Sequence, residues 1–105
     1  MTKAQKQATL RVIRSGDFIR WNYCFRDKVC VIGGLALAAG VEKKTLQNTN
    51  GSIWLRPYIS KPILRKFGLS RENQSDLQQI NDSSPNLEVR RAKMIKYVKS
   101  LSTTK

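Results

Sequence analysis

The feature that most constrains this chain is its longest apolar stretch, Val29 to Gly40, about twelve residues long. A bilayer span needs roughly 20 apolar residues, so this segment has to be buried by protein. Read as VCVIGGLALAAGVEKK, the region is apolar on every side, which predicts a central helix that the other elements surround. Gly33 and Gly34 let another element approach its backbone closely, which outweighs a helix penalty of roughly 1 kcal/mol per glycine. Gly40 is placed to end it.

The remaining elements are read from period and punctuation. Ala4, Ala8 and Val12 recur every fourth residue, with Leu10 and Ile13 widening the stripe, so Thr2 to Ser15 is expected to be helical, with Gly16 as its C′ residue. Ile19, Trp21, Tyr23 and Phe25 alternate, which suggests a strand within 17–28. Asn50-Gly51 favours a tight hairpin between Lys44–Gln47 and Ser52–Leu55. Ser60 to Gly68 reads as a short helix with Pro62 in its first turn and Gly68 closing it. Ser70 caps the next helix, which carries Glu72 in its first turn and Leu77 and Ile80 inside. It ends at Asn81-Asp82-Ser83-Ser84-Pro85. Asn86 caps the last helix, whose stripe is Leu87, Met94, Ile95, Val98 and Leu101, a pattern that Val89 and Arg91 break. The expected fold is therefore mainly α, about five helices with a short β-hairpin: a small single-domain α+β protein over 1–105, loose at about 1–6 and 102–105.

Cys24 and Cys30 are six apart, without the CxxC spacing of a redox or zinc element. They read as two buried thiols packing as small hydrophobes. With no histidine and only two cysteines, a closed zinc site would have to recruit carboxylates or a second chain, and no metal or cofactor is expected. The amino terminus, MTKAQKQATLRV, has no apolar signal core, so a cytoplasmic location is expected.

Charge is the second constraint. Twenty Lys and Arg stand against seven Asp and Glu, a formal +13. Such an excess is repulsive in a compact state, and a partner of opposite sign is its usual reason. Residues 1–28 hold seven bases against Asp17 and Asp27, and 56–66 hold four with no acid. Residues 87–105 hold six bases against Glu88, whereas 70–86 hold Arg71 against Glu72, Asp76 and Asp82. The partner- or phosphate-binding candidates are Arg11, Arg14, Arg20, Arg26, Arg56, Arg65, Lys66, Arg90, Arg91, Lys93 and Lys96. The aromatic and basic run Phe18 to Lys28 could stack bases or be core. The 60–80 region has the outline of a helix-turn-helix, but Glu72 and Asp76 would repel phosphates from its second helix. Paired carboxylates and a Gly-rich phosphate loop are lacking, so catalytic residues are not expected and the chain reads as a non-enzyme.

Three patterns carry a resemblance: Leu10-Arg-Val-Ile-Arg-Ser-Gly16; Tyr23-Cys24 with Cys30-Val-Ile-Gly-Gly-Leu-Ala-Leu-Ala-Ala-Gly-Val41; and Phe67-Gly-Leu-Ser-Arg-Glu-Asn-Gln74, followed by Leu77 to Asp82 and a final helix. In these the chain resembles small phage and prophage accessory proteins of mostly unassigned function, across most of residues 10–100. It departs from them at Arg90-Arg91-Ala92-Lys93, where such proteins usually carry a Glu-rich helix. The resemblance implies a phage protein in a bacterial cytoplasm that docks on and inhibits or redirects a host DNA-processing or defence enzyme. RecBCD-type exonuclease-helicases are one target class, and the anti-RecBCD modulators of lambdoid phages are one example. Direct binding of DNA through the phosphate backbone is the alternative. A host prolyl isomerase acting at Ser84-Pro85 is a further candidate partner.

Overall fold

The computed structural model describes residues 1–19, 24–25, 28–47 and 57–103. Among these are six helices: α1 (Lys3–Ser15), α2 (Val31–Ala38), α3 (Lys43–Gln47), α4 (Pro57–Phe67), α5 (Arg71–Asn81) and α6 (Leu87–Ser100). The α+β expectation is overturned. Lys44 to Gln47, expected as one arm of a hairpin, lies inside α3, while the other arm, Ser52 to Leu55, is outside the described residues. Thr45 and Leu46 both donate backbone hydrogen bonds to the Glu42 carbonyl, at 3.0 and 3.4 Å, which starts a helical turn. That turn buries Leu46, the one large apolar side chain in the segment. Extended pairing among the described residues comes to β1 (Cys24–Phe25) against β2 (Lys28–Val29) and an isolated bridge residue at Thr2, too little to make a sheet layer.

The apolar segment is central, as its composition requires, but shorter than expected. Val31, Ile32, Leu35 and Ala36 are fully buried, and α1, α4 and α5 pack around them. Gly40, with φ +97°, ends the run, and Val41 and Glu42 leave the helix. The close approach anticipated at the glycine pair is made by Phe18. A Cβ on Gly34 would lie 2.8 Å from the Phe18 ring, and one on Gly16 would overlap it. Gly16 itself is extended (φ −83°, ψ 140°), so its glycine serves the Phe18 ring and not a left-handed C′ turn.

The helix starts follow the capping rules. Thr2 and Gln5 make a reciprocal capping box on α1, and Ser70 and Asn73 make one on α5. Asn86 accepts from Val89 N–H on α6. The amino end is correspondingly fixed where looseness was expected: Met1 packs on the core and α1 begins at Lys3. Helix α4 begins three residues before the expected Ser60, which places Pro62 within the helix, where its ring removes one intrahelical hydrogen bond. Gly68 closes α4 in the left-handed region, φ +68°.

Helices α1 and α6 lie side by side and antiparallel. The Lys6 ammonium donates to the carbonyls of Lys99 and Leu101 at one end, and the Arg91 guanidinium donates to the carbonyl of Gly16 at the other. No helix among the described residues is long and apolar enough to cross a membrane.

Candidate nucleic-acid interface

The antiparallel seam brings two amphipathic helices together with their polar sides outward. On α1 the core side is Thr9, Leu10 and Ile13, so Lys3, Gln7, Arg11 and Arg14 share the exposed arc. On α6 the core side is Arg90, Met94 and Val98, which leaves Lys93, Lys96 and Lys99 exposed. Glu88 is the one acid in the two helices, and Arg91 binds it through a one-turn ion pair. Six exposed bases are thus carried by neighbouring helices with no competing unpaired acid in either.

The expected binding residues divide into three groups. Arg11, Arg14, Arg65, Lys66, Lys93 and Lys96 are exposed and able to meet a partner. Arg90 and Arg91 are not free surface cations. Arg90 is 5% exposed and donates to the Asn81 carbonyl at 3.1 Å, so its charge sits at the C-terminus of α5, where the helix dipole favours it. Arg91 is held between Glu88 and Gly16. Arg20, Arg26 and Arg56 lie outside the described residues.

Phe18, offered as a base-stacking residue, is 4% exposed and belongs to the core. Lys3 and Lys99, which share the basic faces, were not singled out from sequence. A helical-wheel projection of α1 and α6 gives their exposure, but only the fold shows that the two helices pack side by side, with Lys93 and Lys96 on the side of α6 toward α5.

The acidic stretch is less open to solvent than its sequence suggests. Tyr97 donates its hydroxyl proton to Asp76 at 2.7 Å and accepts from Asn73 at 3.1 Å, joining α6 to α5. Burial and the neighbouring Asp76 carboxylate push the Tyr97 phenol above its usual range. Asp82 accepts from Gln78 and Asn81. Between α5 and α6 runs an open groove lined by Asp76, Gln79, Ile80, Ser83, Lys93 and Tyr97, about 370 Å³ in volume.

Behind these faces is a buried polar knot. Asn81 accepts from the Val31 N–H at 3.2 Å and donates to the Ile19 carbonyl at 2.8 Å. Cys30 caps α2 by accepting from the Gly33 N–H, and its thiol donates to Gln78 at 3.4 Å. Burial pushes the Cys30 thiol up to about 12, so it is not a nucleophile at neutral pH. Among the described residues no group of three or more His, Cys, Asp or Glu side chains could hold a metal ion.

No protein-family model, curated protein or solved structure matches this chain.

Proposed function

We propose that this is a non-enzymatic binding protein that holds nucleic-acid phosphates on the outer faces of α1 and α6. The observation that carries the reading is the set of exposed Lys3, Arg11, Arg14, Lys96 and Lys99 on two adjoining helices whose single acid is already bound, Lys93 lying beside Asp76 in the α5–α6 groove. Solvation of the helix faces accounts for charges at these positions but not for their common sign. Phosphate contacts displace condensed counterions, so affinity should fall with salt at a log-log slope near −0.9 per contact on duplex DNA. Fluorescence anisotropy with a labelled 20-bp duplex from 50 to 300 mM KCl tests this. Binding that weakens steeply with salt supports the reading, and no binding at 50 mM KCl removes it.

A second reading places the protein in a bacterial cytoplasm as a phage product that docks on and modulates a host DNA-processing or defence enzyme. The α5–α6 groove favours it, because Asp76 suits that groove to protein side chains better than to phosphates. The residues carrying the phage resemblance are largely caps and core: Gly16, Cys30 to Ala36, Gly68, Ser70 and Asn73. They support a shared fold and leave the partner to the surface. A nuclease-treated pull-down that recovers a stoichiometric DNA-processing enzyme, and loses it with Ile80→Arg, would support this reading. Recovery of none would count against it.

A further inference from the structure

The groove between α5 and α6 extends along α6 through a second opening of about 390 Å³. The two openings share Ile80, Lys93 and Tyr97, and the second adds Lys96 and Ser100. Ile80 and Tyr97 are half-buried and floor the channel, while Lys93 and Lys96 stand exposed along its α6 side. Among the described residues neither lysine has an ion-pair partner. Asp76, the one acid lining the channel among them, already accepts the Tyr97 hydroxyl hydrogen bond. Val89, 42% exposed, stands one turn before Lys93 on the same side of α6, so the helix presents an uncovered apolar side chain in line with the two lysines.

Resting on the docking reading above, in which this groove faces a protein, we infer that its occupant is an amphipathic helix of the partner. That helix sets apolar anchors over Ile80 and Tyr97 and carries Asp or Glu along the flank that meets α6. Length fits this occupant. From Lys93 to Ser100 the helix rises about 10.5 Å, two turns, which matches anchors at i, i+4 and i+7 of a docked helix. Backbone chemistry fits it as well. Both walls are helices whose N–H and C=O groups are bonded within themselves, so an extended strand finds no edge to pair with, whereas a helix arrives with its own backbone satisfied. Charge sets the flank, because two unpaired lysines face a single acid that is already engaged. Phosphates would gain nothing from the apolar floor and would meet Asp76. A second copy of the chain would bring the same lysines and a formal +13 to the contact.

The test is fluorescence anisotropy at 150 mM KCl with three labelled, stapled helical peptides of sixteen residues. The first has Leu at i, i+4 and i+7 and Glu on one flank; the second has Lys for Glu; the third keeps Glu but has Ser for Leu. The first should bind at least about tenfold tighter than either of the others. Lys93→Glu with Lys96→Glu should weaken it about tenfold and improve binding of the second peptide. Lys44→Glu with Lys61→Glu, on α3 and α4, makes the same change in net charge and should stay within about threefold. Ile80→Ala should weaken the first peptide about 5- to 30-fold and leave a 12-bp duplex within about twofold. Matching far-UV circular dichroism and melting curves keep a folding defect from passing as a binding defect. Equal losses in the two double variants overturn the inference, since overall charge would then attract the peptide. Tight binding of the Leu-free peptide overturns it too, as does a duplex that depends equally on Ile80, or a dimer that Ile80→Arg dissociates. If the peptides fail while a pulled-down DNA-processing enzyme is still lost with Ile80→Arg, the helical occupant falls and the docking reading stands. If the peptides bind as expected and no such enzyme is recovered, the groove assignment stands and that reading falls.

Discussion

The side-chain amide of Asn81 donates to the backbone carbonyl of Ile19 at 2.8 Å, tying the end of α5 to the loop after α1 across 62 positions of sequence. The same side chain accepts from the first N–H of α2, and the Asn81 carbonyl accepts from Arg90. One fully buried residue therefore holds three parts of the chain in register.

Replacing it should be costly. Asn81→Leu leaves the Ile19 carbonyl and the Val31 N–H without this partner, and a buried unsatisfied group costs about 1–3 kcal/mol. A loss of about 2–3 kcal/mol would lower the melting temperature by roughly 10–20 °C in a domain of this size. Thermal denaturation followed at 222 nm measures it, and a shift under about 3 °C would show that the knot contributes little.

Arg90 and Arg14 should respond oppositely to neutralisation. Arg90→Met removes a buried charged donor and should destabilise the fold by about 1.5–3 kcal/mol. Arg14→Gln, at an exposed position, should change stability by less than about 0.5 kcal/mol. In a duplex titration the Arg14→Gln variant should lose affinity, and its salt slope should shrink by about 0.9. A salt slope unchanged by Arg14→Gln would take that residue out of the interface.

Alkaline pH should destabilise the protein through Cys30. Its thiol ionises near 9 when unfolded and only near 12 when folded, so the native state binds its proton more tightly. Stability from this group is therefore intact below pH 9 and falls as pH rises from there to about 12, by at most about 1.4 kcal/mol per pH unit. Urea melts at pH 8 and 10.5 should show wild type losing about 2 kcal/mol more than Cys30→Ala over that interval. Parallel losses in the two proteins would place the alkaline sensitivity elsewhere.

Two left-handed glycines should differ in their tolerance of a methyl group. At Gly40 an added Cβ meets nothing within 4 Å, so Gly40→Ala costs only backbone strain, about 1–2 kcal/mol. At Gly68 the Cβ would lie 2.8 Å from Met1 Cβ and 2.5 Å from Gln5 Oε1, adding a clash to the same strain. Gly68→Ala should be the more destabilising in a side-by-side melt.

Much of this fold is written locally. The caps at Ser70 and Asn86, the stops at Gly40 and Gly68 and the buried helix after Cys30 depend on single residues and their neighbours, so propensity and period reveal them. The hairpin expectation at Asn50-Gly51 failed on its first arm because a tertiary demand, the burial of Leu46, favours a helical turn there. Arg90 was misread for the opposite reason. It falls four residues before Met94, within the stripe that runs from Leu87 to Val98, and a cation in an apolar register is itself a sign of burial. Its partner, the carboxyl end of α5, could not be named without the fold. The same holds for the interface: the sign of each face is legible in sequence, but the adjacency of α1 and α6 rests on Lys6 and Arg91 reaching groups 75 to 95 positions away.

That pairing also fixes an order of events during synthesis. Helix α1 is made before α6, so the side of α1 that α6 covers stays open while some seventy residues between them are made, with α2 and α4 covering the rest as they appear. A nascent chain that stalls before residue 87 lacks the helix that seals α1. It therefore leaves the α6-facing side of α1 open to chaperones and proteases until α6 has been made.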